Sequence, residues 1–127
     1  MPRIRIVLAA LLATLLLAAP AQAASVKGKW KGTVTSGNIK FPVKMTIKRT
    51  KVGSKAGTLS NPGSPCHGTL RVTARRNGSL FLRYKETRRT SQCTGDDRIV
   101  VKRKGKRLRW HATAPSGQVG TALLRRG

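Results

Sequence analysis

The fold is decided by one stretch, Ile39-Lys40-Phe41-Pro42-Val43-Lys44-Met45-Thr46-Ile47-Lys48, in which every odd position is apolar and every even position is lysine, proline or threonine. Successive side chains of a β-strand point to opposite faces of a sheet. The stretch therefore predicts a strand whose five apolar side chains enter a core and whose lysines face water.

The same alternation recurs from Lys27 onward, interrupted by glycine, proline, serine and asparagine, and without helical periodicity. Between two such runs lies Asn77-Gly78, a pair that tolerates the positive φ of a type I′ hairpin turn. Leu70, Val72 and Ala74 are predicted to point inward in the run before this turn. The predicted strands are residues 28–35, 39–48, 55–60, 67–75, 80–86, 98–104, 106–113 and 119–125.

Eight short strands joined as a meander, each with one apolar face, predict an all-β, antiparallel up-and-down barrel. Closure of the sheet removes the exposed edges that a flat sheet would leave. A two-sheet β-sandwich is the alternative. The predicted domain is a single unit, residues 24–127, and we expect a monomer.

Residues 1–23 have the features of a signal peptide. Arg3 and Arg5 form a positive start, an apolar run extends to Ala19, and Ala21-Gln22-Ala23 supplies the small residues of a cleavage site. We expect cleavage after Ala23 and a secreted product, periplasmic or extracellular, with no membrane span. An uncleaved anchor is the alternative.

The charge is far from balanced. The chain has 27 lysines and arginines against three acids, a net charge of +24. Two of the basic residues fall in 1–23, so the predicted mature chain retains 25 and a charge of +22. Solubility of a small domain needs only about 2–8 charges, so this excess points to an anionic partner.

Cys66 and Cys93 are the only cysteines, so an exported chain has one possible disulfide. Cys66 precedes one strand of the Asn77-Gly78 hairpin and Cys93 follows the other, which places both at the same end of the pair. A zinc site made from these cysteines with His67 and His111 is an alternative, although the spacing matches no zinc pattern. We expect no metal and no cofactor.

Several of these residues carry a resemblance. Gly28-Lys29-Trp30, with Arg125 or Arg126 in the last strand, resembles the calycin pattern of lipocalins and avidins. Trp30-x-Gly32, Cys66-x-Gly68-x-Leu70, Glu86, Cys93 and the final Leu123-Leu124-Arg125 are similar to small secreted bacterial barrel domains, which also occur as extracellular modules of serine/threonine kinases. The resemblance implies a calycin-like barrel in which the first and last strands pack together, and it implies no activity.

Candidate catalytic residues are few. Glu86 is predicted to point inward near a barrel end, as a general base or, more simply, as the partner of an arginine such as Arg125. His67 and His111 could complete a small ribonuclease, but His111 is predicted to face outward. Asp96-Asp97 form half a calcium site at best. We therefore predict that the protein is not an enzyme.

The densest basic stretch has six charges in the eight residues 102–109. Runs of this kind are typical of surfaces that bind polyanions, with a merely solvated hairpin as the alternative. The expected partners are lipopolysaccharide, teichoic acid, nucleic acid or acidic polysaccharide. The predicted binding residues are Lys102, Arg103, Lys104, Lys106, Arg107 and Arg109.

The barrel interior offers a second class of function. An eight-stranded barrel is either packed solid or holds one small apolar ligand. Trp30, Glu86 and Trp110 are the interior residues that would contact such a ligand or serve as structure. The supply of inward side chains favours a packed interior over a cavity lined by Trp30, Met45, Leu82 and Trp110.

Overall fold

The computed structural model describes residues 25–87, 93 and 95–127, and the secondary structure of this part consists of eight strands. The predicted signal peptide lies outside the described residues. Within them there is no helix long and apolar enough to cross a membrane. The strands are β1 (Gly28–Ser36), β2 (Ile39–Ile47), β3 (Lys55–Ser60), β4 (His67–Arg76), β5 (Ser79–Glu86), β6 (Arg98–Lys104), β7 (Arg107–Thr113) and β8 (Val119–Arg126).

The strands form a closed antiparallel barrel in which each strand pairs with the next in sequence. Closure comes from β1 and β8, where Trp30 is opposite Arg126 and Thr35 is opposite Thr121. The predicted up-and-down barrel is confirmed, and the sandwich alternative is wrong. The strand boundaries also agree with those predicted to within about one residue.

The barrel has two different ends. One end, which we call the Trp30 end, carries residues 25–27, the turns at 77–78 and 105, and the C-terminus of β8. The opposite end, the disulfide end, carries the turns at 37–38 and 114–118 and the disulfide between Cys66 and Cys93, whose Cα atoms are 5.3 Å apart. The predicted disulfide is confirmed.

The apolar faces of all eight strands meet inside the barrel. The core residues that are almost completely buried include Trp30, Met45, Leu70, Leu82, Leu108 and Leu124. Ile39 departs from the prediction, since 60% of its surface is exposed. It is the first residue of β2, next to the hairpin turn, and so lies at the rim beyond the enclosed core.

A β-bulge reverses the alternation in β4. The register shifts between Val72 and Ala74, so that Ala74 is opposite Phe81 and Arg75 is opposite the buried Leu80. A bulge places two residues of one strand against one of its partner, which exchanges the two faces beyond that point. The prediction that Ala74 points inward is therefore wrong. Beyond the bulge, the turn has positive φ at both Asn77 and Gly78, as predicted.

Trp30 closes its end of the barrel. Its indole Nε1 donates a hydrogen bond to the Val26 carbonyl at 2.9 Å, and 1% of the residue is exposed. The guanidinium of Arg126 stacks on the ring at 4.0 Å from the centroid, and that of Arg103 lies at 5.3 Å. The expected packing of the first strand on the last is thus made by Arg126.

We expect replacement of both cysteines by alanine to lower the free energy of unfolding by about 3–4 kcal/mol. The disulfide closes a loop with a sequence separation of 27 residues, and its loss returns that chain entropy to the unfolded state. Urea titration of the Cys66→Ala, Cys93→Ala double variant measures the change. The wild type unfolded in excess thiol is the control, and a loss below about 1 kcal/mol in both would contradict the assignment.

Candidate functional site

The β6–β7 hairpin carries the densest positive charge of the outer wall. Lys102 is directly opposite Arg109, and Lys104 is directly opposite Arg107, so each cation has another cation beside it on the same face. All four side chains are exposed, and so is Lys106 at the tip. The structure therefore brings five of the six predicted polyanion-binding residues together on one hairpin surface.

Arg103 differs from the other five. It is opposite the buried Leu108 and is itself half-buried. Its guanidinium donates to the Gly105 carbonyl at 2.9 and 2.7 Å and to the Ser25 carbonyl at 2.8 Å. These bonds and the contact with Trp30 give Arg103 a structural role at the Trp30 end.

A row of cations crosses β3, β4, β5 and β6. Lys55 of β3 is opposite Arg71 of β4, Arg71 is opposite Arg83 of β5, and Arg83 is opposite Arg98 of β6. All four side chains are exposed. Neighbouring strands lie about 4.8 Å apart, so this β3–β6 cation row spans on the order of 15 Å of the wall.

On the other side of the barrel, cations line a groove of about 520 Å³. Lys31 of β1 is opposite both Lys44 of β2 and Arg125 of β8, and Arg107 of β7 reaches the same groove. We call this the cationic groove. Its margins are formed by residues that include Pro42, Pro62 and Leu123.

These alignments place positive charges beside one another across the sheet, and Asp96 is the acid that lies beside two of them, Arg83 and Arg98. Like charges directly opposite one another destabilise a sheet. Among the described residues, seven cross-strand pairs join two lysine or arginine residues. The sequence shows that outward residues are basic, but only the register shows that they face one another.

The acids lie at the disulfide end. Glu86 is 8% exposed and points into the barrel, with a carboxylate oxygen within 4.8 Å of the sulfurs of Cys66 and Cys93. Its predicted partner Arg125 is instead on the outer wall, in the cationic groove. Glu86 contacts Tyr84, two residues before it on the same face of β5.

Burial and Glu86 together keep the Tyr84 hydroxyl protonated. Burial raises the pKa of Tyr84 well above its usual range; its hydrogen bond to the Glu86 carboxylate and that group's charge raise it further. The pKa of Asp97 is also raised, first by burial, then by the charges of Glu86 and Asp96. The carboxylates at this end therefore repel one another in a partly enclosed space.

A cavity of about 550 Å³ opens at the disulfide end. Glu86, Asp97 and Tyr84 contribute its polar lining, and Phe41 and Trp110 contribute aromatic walls. Trp30, Met45 and Leu82 are packed in the core and do not line it. The interior is thus packed through its middle and open at one mouth.

The structure does not bring together the residues of the candidate ribonuclease and zinc sites. His67 and His111 are exposed on the outside of the barrel, whereas Glu86 is inside, so the structure does not bring the ribonuclease residues together. Cys66 and Cys93 are joined as a disulfide, and a disulfide sulfur is not the thiolate that binds zinc. Asp96 and Asp97 lie in the segment before β6, near the cavity mouth.

Comparison with protein-family models, with curated proteins and with solved structures finds no match to this chain.

We expect Tyr84, the only tyrosine in the chain, to resist ionisation in the folded protein. Its raised pKa means that the folded state keeps a proton that the unfolded state releases near pH 10. Stability should therefore fall as the pH rises above about 10. Ultraviolet absorbance of tyrosinate, followed during an alkaline titration, measures this directly.

The chain in denaturant is the control for that titration and should ionise at about pH 10. Glu86→Gln should lower the folded pKa of Tyr84, since the variant removes a negative charge but not the burial. Ionisation of folded wild-type Tyr84 at the denatured value would contradict the contact with Glu86.

Proposed function

We propose that the protein is a secreted, non-enzymatic barrel that binds flexible anionic polymers through its outer wall. The candidate polymers are lipopolysaccharide, teichoic acid, nucleic acid and acidic polysaccharide. The contacts would be made by the exposed cations of the β6–β7 hairpin, by the β3–β6 cation row and by the cationic groove; within this set Lys31 is half-buried and the others are exposed. Binding would be collective, with each cation neutralising one anionic group.

The observation that supports this proposal is the alignment of like charges across the strands. Lys31 lies between Lys44 and Arg125, and Arg83 lies between Arg71 and Arg98. Asp96 shares a surface pocket with Arg83 and Arg98, so an acid lies beside the second series only. A polymer that brings several anions to adjacent cations releases their counterions and removes the repulsion at the same time. The energetic gain from binding is therefore larger than for the same charges scattered over the surface.

The outer wall is suited to binding anionic groups rather than nucleic-acid bases. Stacking of nucleic-acid bases needs exposed aromatic platforms. Phe81 is half-buried, and the guanidinium of Arg76 covers its ring at 5.4 Å from the centroid. The cation rows contain only lysine and arginine, so phosphate and sulfate groups are the features that they would bind.

The proposed localisation of the protein and its proposed family are both based on the sequence. The signal-peptide pattern of residues 1–23 directs export, and the disulfide is compatible with an oxidising compartment. We also propose that this protein belongs to the small secreted bacterial barrel domains that its sequence resembles. The support for it is the eight-stranded barrel, the Cys66–Cys93 bond and the packing of Trp30 on the last strand.

The test is the salt dependence of heparin and polyphosphate binding, measured between about 50 and 200 mM salt. We expect a steep linear fall of log K with log salt concentration. The triple variant Lys31→Gln, Lys44→Gln, Arg125→Gln should reduce the slope by about 2–3, because each lost phosphate contact lowers it by about 1. The same variant should be no less stable at low salt, since it removes repulsion.

A matched control is available on the same wall. Lys29, Lys40 and Lys85 are exposed and each faces a threonine on the neighbouring strand. Their triple replacement by glutamine removes the same charge and should change the slope by less than about 1. Equal losses in the two triple variants would mean that binding follows net charge alone, and a flat salt dependence would refute electrostatic binding altogether.

A further inference from the structure

The described lining of the cavity at the disulfide end contains acids, whereas the outer wall is dominated by lysine and arginine. The chain contains three acids, Glu86, Asp96 and Asp97. Two of them line this cavity, and Asp96 precedes Asp97 in the chain. No lysine or arginine is among its described lining residues, although the chain has 27 of them.

Two buried polar atoms of the lining residues lack partners. Glu86 Oε2 and Trp110 Nε1 form no hydrogen bond within the part of the chain that the structure describes. Glu86 is 8% exposed and Trp110 is 3% exposed. A buried polar group without a partner is costly, and most such groups in folded proteins are satisfied. One atom needs a hydrogen-bond donor and the other needs an acceptor.

The apolar lining of the cavity suits the hydrocarbon part of a small organic ligand. Phe41, Tyr84 and Trp110 contribute aromatic surface, and Val43 and Leu59 contribute aliphatic surface. A second cavity of about 280 Å³ is lined by Phe41, Asp97 and Trp110 as well, so the two adjoin one another. Aromatic faces attract cations, particularly where water is excluded.

The arrangement excludes an apolar acid as the ligand. Such an acid would place its carboxylate beside Glu86 and Asp97, where like charges repel.

We propose that this cavity binds a small organic ammonium ion that carries an apolar body and an oxygen acceptor. The ammonium group donates to Glu86 Oε2 and lies near the Asp97 carboxylate. The oxygen accepts from Trp110 Nε1, and the apolar body packs against Phe41 and Val43. The site is separate from the cationic outer wall and does not depend on polyanion binding.

Three small compounds, each with one aromatic ring, separate the contributions of the ammonium group and the hydroxyl group to binding. The probe 2-amino-1-phenylethanol carries the ammonium and the hydroxyl, 2-phenylethylamine carries only the ammonium, and mandelate carries the hydroxyl with a carboxylate. We expect the affinities to fall in that order, with no binding of mandelate in the cavity. Glu86→Gln should lower the affinity for the amino alcohol by about tenfold, because the charge-assisted hydrogen bond to the ammonium group is lost.

The two tryptophans provide the readout and its internal control. Trp110 lines the cavity and its Nε1 has no partner among the described residues, whereas Trp30 Nε1 is bonded to the Val26 carbonyl at the opposite end. In a proton–nitrogen NMR spectrum, the amino alcohol should move the Trp110 indole signal and leave that of Trp30 in place. Trp110→Phe assigns the signals. Heparin should instead affect the Trp30 end, where the basic hairpin lies.

Three results would overturn the proposal. These are equal shifts of Trp110 with mandelate and with the amino alcohol, equal movement of both indole signals, or no movement of Trp110 at millimolar amine. Unchanged affinity in Glu86→Gln would also refute it. If Glu86→Gln fails to fold, Asp97→Asn removes the other carboxylate of the cavity lining and should also weaken amine binding. Circular dichroism shows which of the two variants is folded.

Discussion

Burial of a sheet that is apolar on one face only is the constraint on which the rest of the structure depends. The strands of this chain alternate apolar residues with lysine, arginine and threonine, and closing the sheet on itself buries the apolar face without leaving an edge. Closure also fixes where everything else can be. Charge must lie on the outer wall, and any other chemistry must lie at the two ends.

The two ends of the barrel differ in the residues that line them. At one end, Trp30 fills the barrel, and Arg103 and Arg126 cover its ring while bonding to backbone carbonyls. At the other end, the disulfide holds the connection after β5, and Glu86 lies beside it with one carboxylate oxygen unpartnered among the described residues. Among the described residues, arginines cover Trp30 at one end, and the acids Glu86 and Asp97 line the cavity at the other.

Much of this architecture could be read from local sequence. Alternation predicted the strands, Asn77-Gly78 predicted its turn, and the cysteine positions predicted the bond between hairpin ends. These features depend on neighbouring residues and on chain connectivity, which a sequence displays. The inward position of Glu86 was predictable for the same reason, since it lies two residues after Tyr84.

Other features depend on register, which the sequence does not display. The bulge at Val72 and Ala74 reverses the faces of β4 without any glycine or proline to mark it. Arg103 looked like one more cation of a basic run, yet it is opposite Leu108 and caps the barrel. The direct opposition of Arg71, Arg83 and Arg98 depends on the exact register of neighbouring strands, which the bulge in β4 shifts. The Trp110 nitrogen, which has no hydrogen-bond partner among the described residues, also shows only in the folded structure.

The central claim is that the folded wall holds aligned positive charge that an external polyanion neutralises. Thermal unfolding in short heparin chains, compared with sodium chloride at equal ionic strength, tests it most directly. A ligand that binds the folded state at about 100 times its Kd adds about 2.7 kcal/mol, so heparin should raise the Tm on the order of ten degrees and saturate. Equal effects of heparin and chloride, or a Tm lowered by heparin, would contradict the account.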